Sequence, residues 1–179
     1  MTPQEQIREL YAAAAPRLVS QLFAIIGDHA EAQDVVQDAF VRALARPGRF
    51  GELEHPEAWL RTVALNIARS RYRRTAVFAR LARSGRLDPD RGSAGLSPDH
   101  VALVAALQRL PRPAREAVVL YHIADLPVVD VAAALGCSVE AVKTRLVRAR
   151  RALAADLDDT AHLTTASPGT VDKGGSRHA

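Results

Sequence analysis

The sequence predicts an all-α protein of two small helical domains joined by a flexible linker, and three observations carry that expectation. Hydrophobic residues make up 48% of the 179 and aromatics only 4%, so the core must come from Ala, Val and Leu. Those residues suit close-packed helices better than a sheet-rich sandwich. Apolar residues recur at three- and four-residue steps rather than in alternation. The stretch SGRLDPDRGSAGLSPDH, residues 84–100, is rich in Gly, Ser, Pro and Asp with little to bury, and reads as a linker. It divides a helical unit at 5–83 from a second at 101–157. The segment 158–179 lacks periodicity and is expected to be disordered.

In the first unit Ile7, Leu10, Tyr11, Ala14, Leu18, Leu22 and Ile25 share a helical stripe, with Pro16 either kinking one helix or opening a second. Gly27 ends it. Asp28 with Glu31 fits a capping box, and EAQDVVQDAFVRAL then sets Ala32, Val36, Ala39, Phe40 and Ala43 along one face. RPGRFGELEHP reads as a loop. After Pro56 a third helix buries Leu60, Val63, Ala64, Ile67 and Ala68 and displays Thr62, Asn66, Arg69 and Arg73 on its opposite side.

In the second unit Ser97-Pro98 opens a helix to Leu110, Pro111 and Pro113 break it, and Ala114 to Ile123 forms the next. VVDVAAALGCSVEAVKTRLVRARRAL then has helix-turn-helix arithmetic. Ala132 is small where a second helix would cross, Gly136 can adopt positive φ in the turn, and Val142 anchors the second helix. Val131, Leu135 and Cys137 fill the remaining buried places, and Ser138 is a natural N-cap. Glu140, Lys143, Thr144, Arg145, Arg148 and Arg151 point away from the Val142 and Leu146 anchors, toward a major groove. A structural αα-hairpin with a solvated basic face is the bland alternative.

Charge supports the nucleic-acid reading. The net charge is only +4, yet residues 61–86 hold eight arginines and no acid, and a second cluster comprises Lys143, Arg145, Arg148, Arg150 and Arg151. Two basic clusters suit two contacts with one polyanion. One cysteine excludes an internal disulfide or a cysteine metal cage, and the six histidines lack HExxH spacing. No Gly-rich phosphate loop or GxSxG motif is present, so an enzyme is not expected, nor are a metal or a cofactor. The longest apolar run, Val101 to Leu107, has 7 residues, against roughly 20 for a membrane span. The N-terminal MTPQEQIREL is not a signal peptide, so a cytoplasmic protein without membrane insertion is expected.

EAQDVVQDAFVRAL, EAWLRTVALNIARSRYRR, LPRPAREAVVL and the helix-turn-helix, in that order and about a linker, resemble conserved regions 2 and 4 of bacterial sigma factors of the extracytoplasmic-function (ECF) group. The resemblance implies a protein that binds core RNA polymerase and directs it to promoter DNA. It would place Asp34, Val35, Gln37, Asp38 and Phe40 against the β′ clamp helices. Asp34 and Asp38 are one turn apart, a like-charge pair costing about 0.2–0.5 kcal/mol that a basic partner would relieve. It would place Trp59, Thr62, Asn66, Arg69, Ser70, Arg73 and Arg74 at the single-stranded minus-10 element, with a flipped base in a pocket before this helix; Arg71 could hold a phosphate. Trp59 also reads as core, beside Leu60 and Val63. Ser138, Glu140, Lys143, Thr144, Arg145 and Arg148 would face the minus-35 duplex, the second unit also meeting the β flap. The ADLPVVD turn departs from the family's pattern, and Pro127 bears on where the next helix begins. The extra N-terminal region of larger sigma factors is absent from the sequence, so an anti-sigma protein is the expected brake. The rival reading is a helix-turn-helix regulator that binds duplex DNA without core polymerase; a purely protein-binding helical module leaves the two basic clusters without a role.

Overall fold

The computed structural model describes residues 2–82 and 97–165; residue 83, most of the expected linker (84–96) and most of the expected tail (166–179) lie outside the described residues. Helix α1 (Pro3–Ile26) opens on a capping box in which Thr2 Oγ1 accepts from the Glu5 N–H at 3.2 Å and the Glu5 carboxylate accepts from the Thr2 N–H at 2.6 Å. The bond to the Thr2 backbone holds the Glu5 carboxyl below its ordinary pKa. Pro16 lies inside this one continuous helix. The carbonyl that it leaves without a donor, that of Ala12, is on the exposed side, where water can satisfy it. Gly27 ends the helix at φ 86°, its N–H donating to the Phe23 carbonyl at 2.8 Å.

Asp28 caps α2 (His29–Leu44), accepting from the Glu31 N–H at 3.0 Å. The reciprocal half of the expected box is replaced, because the Glu31 carboxylate pairs with Arg71 at 3.0 Å. The expected loop after α2 contains a short helix, α3 (Pro47–Gly51), with proline at its start and Phe50 buried edge-on to Trp59, ring centres 5.7 Å apart. Gly and Pro density hid it, since the burial of one phenylalanine rather than local propensity holds the turn. Helix α4 (Pro56–Ala82) follows. Helices α1, α2 and α4 pack around Leu18, Leu22, Ile25, Val35, Val36, Leu60 and Leu65, all at most 1% exposed. Full burial of each Leu or Val is worth roughly 1.5–3 kcal/mol.

The second unit runs α5 (Pro98–Gln108), α6 (Arg112–Val118), α7 (Val128–Leu135) and α8 (Val139–Thr165). Between α6 and α7 the expected α-helical turns widen into a π-helical turn, Val119–Ile123, closed by the Ala124 N–H on the Val119 carbonyl at 2.9 Å. Pro127 is the N-cap of α7, which therefore starts at Val128. Helix α8 continues beyond Asp158, where disorder was expected, to Thr165; once nucleated on Val142 and Ala149, Ala- and Leu-rich sequence extends a helix at one hydrogen bond per residue.

Gly136 joins α7 and α8 at φ 63°, ψ 40°. A Cβ there would meet nothing within 4 Å, so the strain of Gly136→Ala is purely conformational. Chemical denaturation should read a loss of about 1–2 kcal/mol, with the α8 surface unchanged.

The two units do not stand apart, as the linker composition suggested. Helix α1 packs against α5, α6 and the π-helical turn, and α4 meets α7. The contact combines polar side chains on helix surfaces with one apolar core that runs through both units, and Phe23 of α1 stacks on His100 of α5 with ring centres 5.8 Å apart.

Candidate nucleic-acid and polymerase interfaces

The outer face of α8 follows from its anchoring. Val142 and Ala149 are buried, so Glu140, Lys143, Thr144, Val147, Arg148 and Arg151 form one exposed stripe. Ser138 Oγ accepts from the Ala141 N–H at 3.1 Å and caps the helix. Lys143 Nζ bonds Glu140 at 2.9 Å, and Thr144 Oγ1 donates to the Glu140 carbonyl at 2.9 Å. Arg145 is half-buried, with Nη1 3.5 Å from Cys137 Sγ, so it sits beside the turn rather than at the centre of the stripe. Val147, 50% exposed amid these polar groups, was missed in the sequence because it reads as core.

On α4, Asn66, Arg73 and Arg74 are exposed, and Thr62 and Ser70 half-buried. Thr62 Oγ1 donates to the Ala58 carbonyl at 3.0 Å. Other members of the arginine run are held within the chain. Arg61 is 7% exposed and donates to Gln21 at 3.2 Å and Glu57 at 3.0 Å. Burial lowers its pKa despite the favourable charge of Glu57. Arg69 is bound to Glu116 at 2.7 Å. Arg71 bridges Glu31 at 3.0 Å and Asp38 at 2.6 Å, and its bond to Glu31 chiefly, then that to Asp38, raises its pKa. The run of arginines is thus partly a scaffold, since charges facing acids across a helix interface bind them first.

Trp59 is half-buried and lines a cleft of about 410 Å³ with Arg42, Ala43, Arg46, Arg49, Phe50 and Leu53. An aromatic wall under three cations can stack a base and hold its phosphate. Sequence reading missed the arginines of this cleft, because they come from the end of α2 and from α3, the helix hidden in an expected loop.

Asp34, Gln37 and Asp38 lie on the exposed side of α2. Val35 and Phe40 do not: they are 0% and 3% exposed, and Phe40 meets Tyr11 edge-on at 4.9 Å. Consecutive helical residues point around the axis, so a surface contact cannot take all of a five-residue run. The Asp34/Asp38 repulsion is likewise already offset from within the chain, by Arg71. Among the described residues no cluster of three His, Cys, Asp or Glu could hold a metal ion. Nor, among them, is any helix long and apolar enough to cross a membrane.

Residues 10–78 match the family Sigma-70 region 2, and residues 100–153 match Sigma-70, region 4. The chain is 30% identical over 154 residues to the ECF RNA polymerase sigma factor SigC of Mycobacterium tuberculosis, covering 84% of this chain and 83% of that one. It is 31% identical over 153 residues to the ECF RNA polymerase sigma factor EcfG of Rhodopseudomonas palustris, covering 84% of each. Among solved structures it resembles the sigma factor RpoE of Bartonella quintana, crystallised with the anti-sigma factor NepR. The TM-score there is 0.69 at 26% identity, covering 86% of this chain and 98% of that one. It also resembles CnrH in complex with the cytosolic domain of CnrY, with a TM-score of 0.65 at 30% identity, covering 87% and 90% of the two chains. With both regions matched in order on one all-helical chain, and with relatives of this identity over most of their length, the chain belongs to the extracytoplasmic-function sigma factors, which bind core RNA polymerase and direct it to promoters.

Proposed function

We propose that this sigma factor divides promoter recognition between its units, and the observation that carries the proposal is the polar exposed stripe on α8 beyond the Gly136 turn. Region 2, residues 5–83, docks on the β′ clamp helices through Asp34, Gln37 and Asp38. It reads the melted minus-10 strand with Asn66, Arg69, Ser70, Arg73 and Arg74, with Thr62 on the same face. A flipped base enters the cleft of Trp59, Phe50 and the three arginines, where stacking contributes about 1–3 kcal/mol. Region 4, residues 101–157, enters the major groove of the minus-35 duplex with Ser138, Glu140, Lys143, Thr144 and Arg148. Arg145 reaches a phosphate from beside the turn, and Val147 offers an apolar surface to thymine methyl groups. Residues 84–100 link the units.

The protein acts in the cytoplasm as a non-catalytic initiation factor and is restrained by an anti-sigma protein, a reading supported by its likeness to the RpoE of Bartonella quintana, which was crystallised with the anti-sigma factor NepR. Run-off transcription from a promoter library with purified core polymerase tests the whole reading. Specific transcripts that need both proteins support it, and duplex binding by the protein alone with no transcripts overturns it.

Arg148→Ala should weaken promoter binding of the holoenzyme by about 1–3 kcal/mol and relax preference within the minus-35 element only. Competition among promoters with single substitutions measures this.

A further inference from the structure

Region 4 folds back on region 2 through a polar seam centred on Glu116. This carboxylate on α6 is 3% exposed. Arg69 of α4 donates to it from Nε at 3.2 and 3.3 Å and from Nη2 at 2.7 Å, and Arg112 donates from Nε at 3.1 Å. The Arg112 guanidinium lies over the Tyr72 ring of α4, 4.5 Å from its centre. One buried acid therefore joins two cations, one from each unit, and the cation of its own helix also grips the other unit.

A second set of bonds closes the seam at the end of α1. Arg115 Nη1 donates to the Ile25 carbonyl at 2.7 Å, and Gln108 Nε2 donates to the carbonyls of Ala24 and Ile25 at 3.1 and 3.3 Å. These are orphan acceptors of a helix C-terminus, so region 4 completes the capping that Gly27 begins at the Phe23 carbonyl. A Cβ on Gly27 would stand 2.8 Å from Gln108 Cδ and push that amide aside, while the φ of 86° there favours glycine in any case.

The seam is also built to open. Arg112 Nη2 and Arg115 Nε are buried without a hydrogen-bond partner, which disfavours the closed state. Burial, and then the neighbouring charge of Arg112, lower the pKa of Arg115, so its charge too is held at a cost. Beside the apolar core shared by the two units, closure thus rests on a few charge-assisted bonds set against unmet ones, and a competing ligand for either face can break it.

We propose that Glu116 is the keeper of an intramolecular latch that closes region 4 on region 2 in the free protein and withholds Arg69 from promoter DNA. The inference rests on the reading of Arg69 as a minus-10 contact. The Nε–H and one Nη2–H of Arg69 are held on a buried carboxylate, and only 26% of its side chain stays exposed, so in the closed state the guanidinium is turned into the seam rather than toward a base or phosphate. Polymerase, by spreading the units across two promoter elements, releases Arg69 only when both are in place. The free chain is thereby kept from binding DNA unproductively.

The test uses the full-length protein with donor and acceptor dyes on cysteines placed at the exposed Ala12 and Ala133, with Cys137→Ala to remove the native thiol. Glu116→Gln keeps the shape and removes the charge. It should lower energy transfer between the units and raise the affinity of the free protein for a single-stranded minus-10 oligonucleotide by about tenfold, because apparent affinity scales with the open fraction. The oligonucleotide comes from a promoter recovered in the run-off selection. Gln108→Ala, which removes two bonds of the other set and leaves that of Arg115 to Ile25 in place and Glu116 buried and paired, should move both readings the same way by less. Unchanged transfer in both variants overturns the latch. Reduced transfer with unchanged oligonucleotide affinity overturns the masking of Arg69. In assembled holoenzyme, where the latch is already broken, Arg69→Gln should impair promoter opening; wild-type opening there overturns the minus-10 reading itself, while energy transfer still reports on closure.

Discussion

Reversing both charges on the outer face of α2, Asp34→Arg with Asp38→Arg, abolishes co-elution of the protein with core RNA polymerase. The expectation no longer rests on an unrelieved repulsion, since Arg71 lies 2.6 Å from Asp38. It rests on what remains exposed: Asp34, Gln37 and Asp38 lie on the outer side of the helix whose inner side, from Ala32 to Ala43, is core. A carboxylate desolvated against a basic partner typically costs on the order of 2–5 kcal/mol to remove, and reversal adds repulsion to the loss. The single variants separate two effects. Asp34→Arg changes only the outer face, whereas Asp38→Arg also sets a second cation against Arg71. Far-ultraviolet circular dichroism should show intact helicity in all three. Co-elution of the double variant at the wild-type level overturns the clamp assignment. Asp38 keeps 51% of its side chain exposed while region 4 is closed on region 2, so docking on core can precede the opening of the latch.

The second large effect is on promoter opening. Asn66→Ala combined with Arg73→Ala should leave closed-complex binding near the wild-type level and remove permanganate reactivity at the minus-10 region. Both side chains are exposed on one face of α4, seven residues and so two turns apart. That distance suits successive unstacked bases of one strand. Each lost contact to an unpaired base removes about 1–3 kcal/mol, and the loss falls only on the state in which the bases are unpaired. Arg148→Ala should act earlier, on duplex binding, since α8 is proposed to meet DNA that stays paired. If both sets of variants showed the same defect, the units would not divide the work as proposed.

Two matched regions on one chain also separate a sigma factor from a helix-turn-helix regulator that works without polymerase. The helix-turn-helix alone suits either. It is the acidic helix α2, followed by α4 with Asn66, Arg73 and Arg74 exposed, that a duplex-binding regulator has no use for.

Much of the fold was legible in the sequence because it depends on local rules. Helices α1, α2, α4 and α8 follow from apolar spacing, with caps at Asp28 for α2 and Ser138 for α8. The turn at Gly136 follows from the need for a left-handed residue. Helix α3 was not legible, since its reason for existing is the packing of Phe50 on Trp59. The exclusion of Val35 and Phe40 from the polymerase face needed only the helical period applied strictly.

By itself the sequence determined the helical class, the order of regions 2 and 4 and the family, because periodicity, caps and motif order are properties of neighbours along the chain. Only the tertiary structure decided which arginines are available to DNA. Arg61, Arg69 and Arg71 look alike in sequence to Arg73 and Arg74, yet they bind Gln21 and Glu57, Glu116, and Glu31 with Asp38. An ionic partner is chosen by distance through space, where attraction falls off within a few ångströms and rises with burial. No spacing along the chain encodes that Glu116, 47 positions from Arg69, is the acid it meets.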